Sequence, residues 1–483
     1  MTMDSRNRWL ALYVLCLGDL MIVLDGTIVN VALPSIRDDL GFSQTSLAWV
    51  VNAYLLTFGG FLLLGGRLGD LFGHRRLFLI GVSIFTAASL ACGLASSQGM
   101  LIAARAVQGI GGAIVSAVAL SLLMTLFTEQ ADRAKAMGVF GFVLSGGGVI
   151  GVLAGGILTD VLSWHWIFLV NIPVGVLVYV LSLRLLPAAH GPAATGRVDY
   201  AGAITVTASL MLAVYAIVNG NEKGWGSGQT LGLLAAAVAL LGIFLVIESR
   251  VSSPLVPLSL FRNRNVSTAN VAGALLAAGM FSYFFFSALY LQLVLEYTPL
   301  EVGLAYLPGT IIWGASSLLL SDRLVIRYGI KPPLLTGLSL MVLALLLLAR
   351  TPVDGNWAID ILPATIAIGI GAGIAFNPIL LAAMSGVAPD QAGLASGVVN
   401  TAFMMGGAVG LAILASLADS RHGSLIESGQ DSLAALNGGY HLAFVVGAAF
   451  VVGAAVVSAA LLRVEAPQAH GSEVGAPATA EAD

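Results

Sequence analysis

Three ionisable residues stand inside stretches that otherwise carry almost no charge. Asp19 and Asp25 interrupt the first apolar run, and Arg105 interrupts the fourth. An ionised side chain at bilayer depth costs at least ~2.5–3.5 kcal/mol on insertion scales, so it needs a partner or a water-filled cavity. Asp25 lies eight residues before the end of its run near Leu33, ~12 Å deep at ~1.5 Å of rise per residue. Arg105 lies six residues into a run that begins near Gly99, ~9 Å deep by the same rise. The two are at comparable height, and an Asp–Arg pair offsets much of the burial cost. A carboxyl in such a place can bind and release a proton, because loss of water favours its neutral form while a nearby cation favours its charged form. Asp25 is the leading candidate for proton coupling, with Arg105 tuning it. Asp19, a turn and a half deeper, is a second intramembrane acid. The competing reading is a static buried pair that only fixes packing.

A second concentration of charge is the stretch GGRLGDLFGHRR (65–76), set between two apolar runs. Arginines alone would make it a topology anchor. Asp70 adds nothing to such an anchor, and the glycines around it, Gly66, Gly69 and Gly73 among them, leave room for close backbone approach. Elsewhere the chemistry is sparse. The six histidines (74, 165, 190, 422, 441 and 470) show no metal-ligand spacing, and no nucleotide-binding Gly-Lys-Ser/Thr loop occurs. A formal GxGxxG (Gly146, Gly148, Gly151) lies within an apolar helix with no preceding strand, which argues against a dinucleotide fingerprint. No enzyme is indicated, no cofactor is expected, and energy must come from an ion gradient or an external subunit.

These residues are positioned by long apolar segments. Of 483 residues, 58% are hydrophobic and 10% charged, against roughly 45–50% and ~25% in soluble domains. The net charge of −4 is too small to imply nucleic acid as a partner. Cys16 and Cys92 both fall inside apolar runs, so a disulfide framework is not expected. Arg6 and Arg8 precede an apolar run that continues to Pro34 with no evident cleavage site, which reads as a retained first span rather than a signal peptide. Runs near the ~20 residues that cross a bilayer recur at 9–33, 47–66, 77–96, 100–126, 136–158, 166–186, 199–219, 230–248, 266–294, 301–321, 333–349, 359–385, 392–418 and 440–462. With the N-terminus inside, 16 Lys/Arg fall on inner segments and four (Arg37, Lys223, Arg350, Arg421) on outer ones. That bias places both termini in the cytoplasm. The segment SDRLVIRYGIKPPLL (321–335) repeats the 65–76 stretch at a constant offset: Arg67 aligns with Arg323, Gly73 with Gly329 and Arg75 with Lys331, although Asp70 meets Ile326. Two six-span halves related by duplication, with a two-span insert between them, follow from this echo.

The stretch GGRLGDLFGHRR resembles the loop signature of the major facilitator superfamily. Four more stretches narrow the resemblance: LDGTIVNVALPSI (24–36), LIAARAVQGIGGAI (101–114), GGGVIGVLAGGIL (146–158) and WHWIFLVNIPVG (164–175). Together with AGLASGVVNTAFMMGGAVGLAI (392–413) and the 6+2+6 arrangement, they are similar to the fourteen-span drug:proton antiporters. Two positions depart from that pattern. Val152 follows Gly151 where the antiporter motif has proline, and His165 stands where Arg is usual between the tryptophans.

The resemblance implies an all-α membrane protein of the major facilitator fold, with two six-helix bundles plus two extra linker helices. It divides the chain into an N-terminal bundle (1–190), a two-helix insert (191–250) and a C-terminal bundle (251–463); the cytoplasmic tail (464–483), outside the resemblance, is Pro/Ala/Gly/Glu-rich and reads as disordered. The implied function is proton-coupled efflux of drugs or amphipathic small molecules across the cytoplasmic membrane. The implied partners are the substrate, protons and the lipid bilayer, with the chain acting as a monomer. Alternatives are a dedicated exporter of one metabolite or antibiotic, a symporter, and a transport-inactive sensor or scaffold. Asp70 would latch the cytoplasmic side, with Arg75 and Arg76 pairing to acids such as Asp132. Gly148, Gly151, Gly155 and Gly156 belong to the antiporter motif; Gly141, Gly148, Gly151 and Gly155 form one small-residue stripe, which lets helices touch and would slide against the other half. The pocket would draw on Asn52, Tyr54, Phe142, Tyr283, Phe286, Gln292 and Met404, since aromatic and Met side chains suit varied amphiphiles.

Overall fold

The structure is a computed structural model describing residues 5–127, 129–187, 199–251, 254–385, 387 and 392–463. Among them there is helix and no strand, as a bilayer demands: backbone N–H and C=O groups without water must bond within their own segment. Fourteen long helices follow one another: α1 (Ser5–Leu40), α2 (Gln44–Phe72), α3 (His74–Gly93), α4 (Gln98–Leu126), α5 (Gln130–Val161), α6 (Trp166–Leu185), α7 (Tyr200–Val218), α8 (Gly228–Arg250), α9 (Arg264–Val294), α10 (Pro299–Tyr328), α11 (Lys331–Leu348), α12 (Trp357–Met384), α13 (Ala392–Glu427) and α14 (Ser432–Leu461). Thirteen carry an apolar window long enough to span a bilayer among the described residues, and α5 is 32 residues long. A helix covers each expected span; most begin or end beyond it, whereas α3 stops at Gly93 and α7 falls within the expected 199–219. The proposed division near residue 190, and the tail after 463, lie outside the described residues.

The face at which α1 begins is called the near face and the opposite one the far face. On the far face, short turns hand one helix to the next through side-chain caps that satisfy first-turn N–H groups. Ser43 and Ser46 form a capping box at α2, and Thr298 and Glu301 form one at α10. Ser97 and Ser227 cap α4 and α8. On the near face Gly73 turns α2 into α3 at φ +92°, a backbone value that a Cβ would oppose.

The first six helices pack on one another, with α4 against α2 and α3, and α1 against α4, α5 and α6. The last six do likewise, with α9 against α13 and α14, and α12 against α10 and α11. The two groups meet along two seams, α2 with α13 and α5 with α10. The insert helices α7 and α8 pack together, and α7 also lies against both α2 and α13. Thr207 Oγ1 sits 1.9 Å from where a Cβ on Gly60 would be, so α2 must have a glycine there for α7 to approach. In the turn after α7, Asn221 Nδ2 donates to Ser416 O of α13 at 2.6 Å.

The repeat seen in the sequence has a physical counterpart. Arg75, at the start of α3, donates to Leu183 O near the end of α6. Lys331, its aligned partner at the start of α11, donates to Ala459 O near the end of α14. In each half a cation fills the same office, bonding a terminal carbonyl at the negative end of a helix dipole. This corrects the expectation that Arg75 pairs with an acid such as Asp132. Asp132 lies in the first turn of α5, beside the start of α1, and is 3.9 Å from Arg8. Arg76 is exposed.

Candidate functional site

The densest polar cluster lies inside the first bundle. Arg105 donates from Nη1 to Asp25 Oδ2, and the pair is 1% and 0% exposed. Asp25 Oδ1 accepts from Gln108 Nε2 at 2.7 Å and from Asn171 Nδ2 at 3.0 Å. Gln108 sits one turn beyond Arg105 on α4; its Oε1 accepts from Arg105 Nη1 at 2.7 Å, and its Nε2 also reaches Ser89 Oγ of α3 at 2.9 Å. Arg105 Nε donates to Val50 O of α2 at 2.9 Å, and the Tyr54 ring lies 4.3 Å from the guanidinium carbon. Five of the first six spans therefore contribute: α1, α2, α3, α4 and α6. A buried ion pair is tolerated only when further hydrogen bonds replace the lost water, and here both oxygens of Asp25 are bonded. The comparable depth expected from the sequence is met by direct contact. Gln108, Asn171 and Ser89 were not singled out, although Gln108 follows Arg105 by three residues and so shares its helix face.

Asp19 faces a different partner. Six residues before Asp25, it is turned so that Oδ1 accepts from Ser116 Oγ of α4, while Oδ2 is buried with no hydrogen-bond donor among the described residues. Chemically the two acids differ. Protonation of Asp25 would weaken bonds from three donors on two helices, α4 and α6, whereas Asp19 has an oxygen open to a proton without breaking one of those bonds.

The glycines of α5 divide between two neighbours. A Cβ at Gly151 would strike Thr27 Oγ1 at 2.0 Å, and one at Gly155 would strike Ile28 O at 2.7 Å, so both face α1 of the same half. Among the described glycines of α5, only Gly156 meets the other half, 2.7 Å from Pro299 O and 3.0 Å from the Leu300 Cα. Gly148 has nothing within 4 Å. The reading of a single stripe sliding on the opposite bundle is thus corrected: adjacent positions on a helix point about 100° apart, and Gly155 and Gly156 serve different contacts. Val152, in place of proline, leaves α5 continuous from Gln130 to Val161. Its carbonyl oxygen lies 3.0 Å from where Gly303 of α10 would carry a Cβ.

In the gate stretch, a Cβ at Gly69 would press on His74 and Val118 at 3.0 and 3.1 Å, whereas Gly66 has only Ala117 at 3.9 Å, so close approach is needed at one and not at the other. Asp70 belongs to α2 and Phe142 to α5, but their side chains lie outside the described ones.

The residues expected to form one pocket are dispersed. Tyr283 lines a small cleft between α9, α10 and α12 with Met280, Phe284, Thr310, Trp313 and Ile368. Phe286 instead packs its ring against Tyr440 and Phe444 of α14, in the core of the second bundle. Gln292 Nε2 donates to Val31 O of α1 at 2.8 Å, stitching the halves together at the far face. Met404 sits in the α2–α13 seam against Gly59. Tyr54 stacks on Arg105, and Asn52 is buried with neither amide atom bonded among the described residues. Residue type alone marks an amphiphilic side chain; only the fold tells which neighbour it meets.

Comparison with known proteins bears on the whole architecture. Solved structures with the same fold include a bacterial homologue of the human lysosomal transporter Spinster (TM-score 0.67, 17% identity, 94% of this chain and 97% of that one). The nucleoside transporter NupG is another (TM-score 0.64, 14% identity, 94% and 100%). Among sequences, the puromycin resistance protein pur8 of Streptomyces alboniger is 40% identical over 452 residues, covering 92% of this chain and 89% of that protein. The cephamycin export protein CmcT of Amycolatopsis lactamdurans is 37% identical, covering 87% of each. The multidrug resistance protein Stp of Mycobacterium tuberculosis is 35% identical, covering 86% and 76%. The profile of the Major Facilitator Superfamily matches residues 15–411, from before Asp19 through most of α13. With relatives aligned along most of their own length, the chain is a transporter rather than an enzyme, and it belongs to the Major Facilitator Superfamily.

Proposed function

We propose that the protein exports amphipathic drugs or antibiotics across the cytoplasmic membrane by alternating access, in exchange for protons. Asp25 carries the proton and Arg105 sets its affinity, with Asp19 as a second acid on the same helix. The observation that carries this reading is the buried network joining Asp25 to Arg105, Gln108 and Asn171. Adding a proton to Asp25 removes acceptor strength from bonds that tie α1 to α4 and α6, so protonation and helix packing are linked. The excess of Lys/Arg on near-face segments supports cytoplasmic termini. Relatives named for puromycin resistance, cephamycin export and multidrug resistance support export of such compounds. The working unit is a monomer without cofactor, organised as bundles 1–190 and 251–463 about the insert 191–250.

The test is a susceptibility panel in an efflux-deficient host. Expression is expected to raise the inhibitory concentration of at least one amphipathic antibiotic fourfold or more, and a protonophore to remove the gain. No shift with any compound would reject the reading. A shift confined to one compound would favour a dedicated exporter, which the relatives named for single antibiotics support.

Asp70 is proposed to latch the near face when the protein opens outward. A carboxylate near a helix N-terminus gains ~0.3–1 kcal/mol, small enough to be broken in each cycle. Asp70→Asn is expected to lower transport severalfold in vesicles with unchanged membrane insertion. Unaltered initial rates would remove Asp70 from the cycle.

A further inference from the structure

The two-helix insert carries a pair of buried acids at its near-face root that the transport reading does not use. Asp199 caps α7 and is 4% exposed; Glu248 lies half a turn from the end of α8 and is 3% exposed. One oxygen of each is held by the backbone: Gly202 N–H donates to Asp199 Oδ1 at 2.7 Å, and Val256 N–H to Glu248 Oε2 at 3.2 Å. The other oxygens, Asp199 Oδ2 and Glu248 Oε1, are buried and have no donor among the described residues. They converge on one point, since a Cβ on Gly202 would lie 2.5 Å from the first and 2.8 Å from the second. Only a glycine admits both carboxyl groups there.

Among the described residues no cation faces them. Asp199 is the charged group that faces Glu248, and the remaining partners are the backbone N–H groups of Leu255 and Val256. Beside the pair, Ala203 packs with Leu64, Leu255, Phe61, Leu68 and Val256, all apolar. Arg250, two residues beyond Glu248, is exposed. Two like charges held together away from water cannot both persist, and carboxyl pairs so placed share one proton.

We propose that Asp199 and Glu248 form a single-proton site, an O–H bridging Asp199 Oδ2 and Glu248 Oε1. The proton clamps three segments at once: the start of α7, the end of α8, and the 255–256 connector into the second half. The site is separate from Asp25 and Asp19, and its occupancy does not depend on what the protein transports.

Glu248 is the one buried glutamate among the described residues, which makes it addressable in the unsubstituted protein. Infrared spectra of detergent-solubilised protein labelled with ¹³C in its glutamate carboxyls are expected to show, at neutral pH, an isotope-shifted band of a neutral carboxylic acid. The band is expected to vanish in Glu248→Gln. It is also expected to vanish in Asp199→Asn, whose side chain still caps α7 through its oxygen and offers Glu248 an N–H in place of the shared proton. Absence of the band from the unsubstituted protein overturns the proposal. So does its persistence in Asp199→Asn, which would make Glu248 a lone neutral acid. A band that follows the sodium or potassium concentration instead of pH overturns it as well, in favour of an alkali-cation site.

Discussion

Asp25→Asn is expected to abolish pH-gradient-driven efflux and to cost about 3–5 kcal/mol of stability, the usual penalty for stranding one member of a buried ion pair. The substitution keeps the shape of the side chain but leaves the Arg105 guanidinium, 1% exposed, without a counter-charge. Loss of transport by itself would not separate a proton carrier from a structural strut. The double variant Asp25→Asn/Arg105→Gln does so, because it removes both charges and leaves amides able to bond to Gln108 and Asn171. Thermal unfolding in detergent is expected to recover most of the lost stability, while transport in vesicles stays below a tenth of wild type. If the double variant regains wild-type transport, the pair is a packing device and the proton moves elsewhere, with Asp19 the next acid to substitute.

The second large effect is expected at the α5–α10 seam. Gly156→Leu places a side chain where Pro299 O and the Leu300 Cα already lie within about a carbon radius of contact. Overpacking of this kind costs about 1–3 kcal/mol where backbone must shift, and here the backbone belongs to the opposite half. The halves should be forced apart at the far face, with transport falling at least tenfold and a cysteine placed at Leu300 reacting faster with an impermeant maleimide. Gly148→Ala is the control, since its added methyl meets nothing within 4 Å, and it should transport within twofold of wild type. Equal losses in the two variants would mean that α5 tolerates no enlargement anywhere, and the seam would have no special role.

Much of this architecture was legible in the chain itself because a bilayer leaves few options. Apolar runs of the right length had to become helices, and each of the fourteen did. Asp25 and Arg105 could be paired from depth alone, as two costly charges in oil at one height have few other ways to be satisfied. Arg75 and Lys331 show where sequence reasoning stopped short. Their equivalence was visible, but their partners are main-chain carbonyls of Leu183 and Ala459, which have no signature in side-chain type. The expected pocket residues part company for a related reason. Phe286 and Tyr283 are both aromatic and three residues apart, yet one fills a bundle core and the other a cleft. Gly155 and Gly156 are identical in type and adjacent, and serve different helices. Facing direction within an almost uniformly apolar chain is set by tertiary packing, where hydropathy has too little contrast to report it.

The placement of α7 makes the two seams mechanically unequal. Along α2 and α13 a third helix is wedged in, with Thr207 seated on Gly60 and Asn221 bonded to α13. Along α5 and α10 the flanks carry Ile150, Ile157, Leu304 and Ile311 turned outward. Any tilting of one half against the other must drag α7 along or break its grip on one partner, whereas the α5–α10 seam, close-packed through Gly156 and Gly303, carries no third helix among the described residues. The two halves are thus braced by an extra helix on one side only, which makes motion between them lopsided.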